Sequence, residues 1–272
     1  LKFTRARLRD KIQFLKRPRT NPKAQLRKIT KGGNIKGGLG RAAGATPALP
    51  RKWLFRILAA LLPILAVAAL ELALRLGGYG YATGFFKPLQ IGGQAFLVEN
   101  DAFGFRFFPP AMARTPLTLR MAAKKPAGVY RIFILGESAA MGDPEPEFGV
   151  GRYLEVLLRE RFPKAAFEVV NTAMTAINSH AILPIARDCA GQEGDLWILY
   201  AGNNEMVGPF GAATVFGPKA PSLPMIRLYL AAQQLRAGQL ALNVSRKFKG
   251  ASQSESWAGM EMFLGSQVAP GL

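Results

Sequence analysis

The stretch RIFILGESAAMGDP, residues 131–144, joins an apolar run to a turn of small and polar residues. VYRIFIL (129–135) is β-branched and aromatic, the composition of a buried strand. FGVGRYLEVLLRERFP (148–163) places Tyr153, Leu154, Leu157, Leu158 and Phe162 at helical spacing before Pro163. FEVVN (167–171) reads as a second strand. INSHAILPIARDCAG (177–191) reads as a second helix, with Asn178 or Ser179 as cap and Gly191 as stop, although Pro184 fits its interior poorly. DLWILYAG (195–202) reads as a third strand. Strands alternating with helices predict a three-layer, flavodoxin-like α/β fold with a parallel sheet. Such sheets take ligands at the carboxyl ends of their strands.

Each predicted strand ends in a polar turn: Gly136-Glu137-Ser138, then Asn171 to His180, then Gly202-Asn203-Asn204-Glu205. In a parallel sheet these turns share one edge. A serine opening a helix sits where free backbone N–H groups favour developing negative charge. The amides of Ser138 and Ala176 and the side chain of Asn204 are therefore candidate donors to an oxyanion formed by attack of Ser138. Taken singly, Ser138 also reads as a turn or cap residue, and Asn204 as a turn former.

The three blocks, in this order, resemble those of the SGNH (GDSL-like) hydrolases. ILGES (134–138) matches the Gly-Asp-Ser turn with Glu137 for Asp. NTAMTA (171–176) fits the Asn-x-Gly-x-x-Gly frame with Ala173 and Ala176 for both glycines. GNNE (202–205) fits Gly-x-Asn-Asp with Glu205 for Asp. The resemblance spans 129–217 and implies a serine hydrolase of acyl esters on carbohydrate or lipid, or an acyltransferase of the same fold. It implies Ser138 as nucleophile, the Ala176 N–H and the Asn204 side chain as oxyanion donors, and no cofactor. The stretch GNNEMVGPFGAATVFG (202–217) is also similar to a membrane-linked subgroup.

The family's Asp-x-x-His block is absent from these residues, and His180, the one histidine, follows the second strand rather than the last. It reads as a partly exposed helix-start residue. A serine without a base is a weak nucleophile. Residues 129–272 are thus expected to be a partial domain that continues beyond Leu272, with little turnover as it stands. A non-catalytic, membrane-anchored binding protein is the alternative.

The formal charge of +19 is concentrated at one end. Residues 1–56 hold 17 Lys/Arg and one acid, leaving a net +3 for the rest. Residues 1–52, rich in Gly and Pro toward their end, are predicted to be a disordered basic arm. The arm reads as a solvated cytoplasmic tail, as upstream sequence joined to the true start, or as a phosphate-binding segment; nucleic acid is the least favoured partner. Residues 53–76 contain an uninterrupted apolar run at 57–70, and with their flanks reach the ~20 residues a bilayer needs. This predicts a single transmembrane helix or signal anchor. A cleaved signal peptide ending near Ala66-Val67-Ala68 and a buried soluble helix are the other readings. The basic flank predicts a cytoplasmic N-terminus and an extracytoplasmic domain on a bacterial-type inner membrane. Residues 77–128 read as an irregular segment packed on the domain. A lone cysteine, Cys189, excludes an intrachain disulfide, and one Cys with one His excludes the usual zinc sites. Neither a phosphate-binding Gly-x-x-x-x-Gly-Lys loop nor a Gly-x-Ser-x-Gly elbow is present.

Overall fold

The computed structural model describes residues 51–248. The predicted disordered arm, except for its last two residues, and the tail 249–272 lie outside the described residues. The first element, α1, spans Arg51–Leu76. Its stretch Lys52–Leu76 contains an 18-residue window with a mean hydropathy of 2.5 and is apolar and long enough to cross a membrane. Its large apolar side chains, Trp53 through Leu76, face outward rather than into a protein core. Pro63 lies within the helix.

Residues 77–128, predicted to be irregular, instead contain a small antiparallel sheet. β1 (Phe86–Ile91) and β2 (Gln94–Glu99) form a hairpin, and β3 (Arg120–Ala122) adds to β2. The hairpin turns on Gly92 and Gly93, with φ of +56° and +81°. Two successive positive φ values make the tight turn that matches strand twist, and glycine adopts them without a Cβ penalty. Gly-Gly between two apolar runs was a readable signal for this element.

The parallel sheet follows as predicted. β4 (Val129–Gly136) is central, with β5 (Ala166–Asn171) on one side and β6 (Leu196–Tyr200) on the other. Both pairings are parallel, with Ile134 opposite Asn171 and opposite Ile198. The connections carry α2 (Ser138–Met141) and α3 (Val150–Arg161) between β4 and β5, and α4 (Ser179–Ala190) between β5 and β6. Asn178 caps α4 by accepting the His180 N–H at 3.2 Å, and the helix runs through Pro184. After a glycine-rich loop come α5 (Leu223–Gln233) and α6 (Arg236–Phe248). Among the described residues β6 pairs only with β4, and Leu196, Leu199 and Tyr200 remain exposed along it.

The main core joins the two sheets. Phe85, Phe103, Phe107 and Met121 from the antiparallel part pack with Phe133, Leu135, Ile177, Ile185 and Cys189. Burial pushes the Cys189 thiol up to about 12. The buried Arg131 stitches the sheets together. Its Nε donates to Glu168 at 2.6 Å, Nη1 to the Gln192 carbonyl at 2.7 Å, and Nη2 to the Ala122 carbonyl at 2.9 Å. A buried cation so fully partnered holds three segments in one register. Its role was not evident in a strand read as apolar.

Candidate functional site

β4 delivers Gly136 to the carboxyl edge of the sheet. A Cβ at this position would collide with the Tyr200 carbonyl of β6 and with Ala140 of α2. Glycine therefore lets the turn fold directly over the neighbouring strand. Glu137 follows in extended conformation and is fully buried. Its carboxylate accepts the Gly202 and Asn204 N–H groups, each at 3.0 Å. One side chain thus fastens the first turn to the third.

Ser138 is the first residue of α2 and is half-buried. Its carbonyl accepts the Gly142 and Asp143 N–H groups at 2.9 and 3.0 Å, closing the short helix. Its own N–H, as at any helix start, has no intrahelical acceptor. Among the described residues neither that N–H nor the Ser138 hydroxyl has a hydrogen-bond partner.

The second turn is bound to the first by several bonds. The Asn171 Nδ2 donates to the Ala140 carbonyl at 3.0 Å, while its Oδ1 accepts the Ala173 N–H at 3.1 Å. The Met174 N–H donates to the Gly136 carbonyl at 3.2 Å. The Thr175 hydroxyl donates to Asp143 Oδ2 at 2.8 Å. Ala173 is fully buried. Ala176 has φ of +62°, the left-handed region that favours glycine. It is buried, and among the described residues its N–H has no acceptor.

The third turn opens at Gly202, whose φ of +128° suits glycine alone. The Asn204 carbonyl accepts the Gly208 N–H at 2.6 Å, and its Nδ2 donates to the Ile177 carbonyl at 3.1 Å. Nδ2 carries two N–H groups, so one remains for another acceptor. Glu205 grips the start of α4, accepting the Ser179 N–H at 2.9 Å and the Ser179 hydroxyl at 2.8 Å. An acid at this end of a helix also complements its dipole.

The three turns, read from sequence as sharing an edge, are thus tied to one another: first to second through Asn171 and Met174, first to third through Glu137, second to third through Asn204 and Glu205. The clamp formed by Glu137 was missed in sequence, where Glu137 counted only as a replacement for Asp. A lone acid between an apolar strand and a small-residue turn was its one visible trace.

His180 is the second residue of α4, half-buried, with its ring edge-on to Phe210 at 5.7 Å. This is the partly exposed helix-start position expected of it. Among the described residues no group of three or more His, Cys, Asp or Glu could hold a metal ion. Comparison with protein-family models, with curated proteins and with solved structures finds no match to this chain. The functional reading therefore rests on the geometry and on the order of the three turns.

Proposed function

We propose that this chain carries the nucleophile turn and oxyanion donors of a membrane-tethered serine ester hydrolase of SGNH type. The observation that carries the reading is the set of uncommitted donors on three interlocked turns: the N–H groups of Ser138 and Ala176 and the second Nδ2 hydrogen of Asn204. The β5-β4-β6 order supports it, since flavodoxin-like parallel sheets contain this arrangement. The positive φ of Ala176 supports it too, because the resemblance calls for glycine there. In this reading α1 spans the membrane, the basic residues before it stay cytoplasmic, and the parallel sheet lies outside.

The reaction is acyl transfer through serine. Ser138 Oγ attacks the acyl carbonyl, its proton passes to a base, and the carbonyl electrons move onto oxygen. The three donors hold that oxyanion. Collapse expels the alcohol, which takes the proton, and water then releases the acyl group by the same steps. An acyltransferase differs only in using a sugar hydroxyl in place of water.

These residues offer His180 as the only imidazole, packed against Phe210. We do not assign it as base, so Ser138 acts here as an unassisted, weak nucleophile and turnover by this chain is slow. The alternative is a membrane-anchored binding protein that retains the pocket without the chemistry.

Hydrolysis of p-nitrophenyl acetate by the full chain in micelles separates the two. The esterase reading expects Ser138→Ala to abolish any turnover above the micelle background. It expects Asn204→Ala to lower turnover by about 10²-fold, the usual effect of losing one oxyanion donor. Rates unchanged by Ser138→Ala would rule the mechanism out.

A further inference from the structure

A concavity lies between α4, α5 and the turn of 3-10 helix at Asp101–Arg106, and meets the second turn only at His180. Its volume is about 390 Å³. That falls within the ~300–1,000 Å³ range of small-ligand pockets. Its charge is one-sided. Arg106, Arg187 and Arg227 line it together with His180, against one acid, Asp188. Asp188 Oδ2 accepts the Phe85 N–H at 2.6 Å and its charge acts on Arg106, so the three arginines still outnumber the one acid that lines the cavity.

Arg106 is the unusual member. It is 5% exposed and lies over the rings of Phe103 and Phe107, 5.5 and 5.4 Å from their centres. Its Nη1 donates to the Thr83 carbonyl at 2.9 Å, but its buried Nε has no partner. No carboxylate forms an ion pair with it among the described residues, and burial lowers its pKa. Buried cations are ordinarily paired. Arg187 and Arg227 are exposed, and among the described residues neither side chain has an ion pair or hydrogen bond. The rest of the wall is mainly aliphatic, with Leu183, Leu223, Ile226 and Leu230 beside the amide of Gln234.

We infer that this cavity binds an anionic single-chain amphiphile, an alkyl or acyl chain carrying a phosphate or carboxylate. The guanidinium groups of Arg187 and Arg227 meet the head group at the rim. The positive field of Arg106 draws it inward, and the aliphatic wall takes the chain. The inference stands apart from the esterase reading, since none of these three arginines belongs to the three turns.

The test is calorimetric titration of the full chain in phosphatidylcholine nanodiscs, with empty nanodiscs subtracted. The probes are octyl phosphate, octanoate, octanol and inorganic phosphate. At least one anionic amphiphile is expected to saturate at one per chain and to bind about tenfold or more tighter than octanol or inorganic phosphate. Which of the two anions does so identifies the head group. The rim double variant Arg187→Gln/Arg227→Gln, which leaves the buried Arg106 in place, is expected to weaken binding by about tenfold or more. Equal affinity for octanol, equal affinity for inorganic phosphate, absence of saturation, or full affinity in the double variant would each overturn the inference.

Discussion

Replacing Glu137 by Gln tests whether one buried carboxylate holds the site together. The two side chains have the same shape, so packing is preserved while chemistry changes. The carboxylate accepts two backbone N–H groups at 3.0 Å, from Gly202 and Asn204. A glutamine presents one oxygen and one NH₂. The oxygen keeps one bond, now without charge assistance, and the NH₂ is set against the other N–H. Hydrogen bonds to charged groups contribute about 1.5–3 kcal/mol, and a buried donor left unpaired costs about 1–3 kcal/mol. Since these overlap in one site, the expected loss is about 2–4 kcal/mol, a large part of the ~5–15 kcal/mol that holds a domain. Urea unfolding in micelles measures the total, and hydrogen exchange locates it. Exchange should quicken at Gly202 and Asn204 while the β4–β5 amides keep their protection. A loss below about 0.5 kcal/mol with unchanged exchange at both amides would refute the clamp.

Three further outcomes follow from particular positions. At Ala176, φ of +62° costs a residue with a Cβ about 1–2 kcal/mol, offset by about 0.5–1 kcal/mol of extra chain entropy in glycine. Ala176→Gly should therefore raise the urea midpoint slightly, and Ala176→Val should lower it. Gly136→Ala places a methyl group against the Tyr200 carbonyl and Ala140, and should destabilise by about 1–3 kcal/mol in the same assay. The Asp195 carboxyl is held below its usual range by the Lys125 ammonium at 2.7 Å and by the Arg131 N–H. A depressed carboxyl stabilises fully above its unfolded value, ~3.9, and loses that contribution as pH falls through the folded value. Stability measured below pH ~4 should thus fall less steeply in Lys125→Met than in the parent chain.

Much of the parallel sheet was legible because its strands are continuous apolar runs punctuated by turns. Val129–Gly136, Ala166–Asn171 and Leu196–Tyr200 each stand close to their predicted bounds. The cap at Asn178 was legible because an Asx side chain before an apolar-periodic segment has few other uses. The hairpin at 86–99 was lost among prolines and aromatics, although Gly92-Gly93 marked its turn. Glu137 and Arg131 were illegible for a shared reason. Their partners lie 65 and 37 residues away, at Gly202 and Glu168, so only the folded sheet brings them into contact. The residues of the proposed oxyanion site could be named by position, but the sequence carried no sign that their N–H groups would remain uncommitted. That follows from the left-handed turn at Ala176 and the helix start at Ser138.

The central claim is that Ser138 faces an oxyanion site shared by three turns. Incubating the full chain in micelles with a fluorophosphonate and mapping the adduct by mass spectrometry tests it most directly. The phosphoryl oxygen of the probe occupies the place an oxyanion would take, so labelling depends on the donors even where it is slow. The account predicts an adduct on Ser138, absent from Ser138→Ala and formed at least about tenfold more slowly in Asn204→Ala. Labelling spread over other hydroxyl residues, or a Ser138 adduct formed at the same rate in Asn204→Ala, would contradict it.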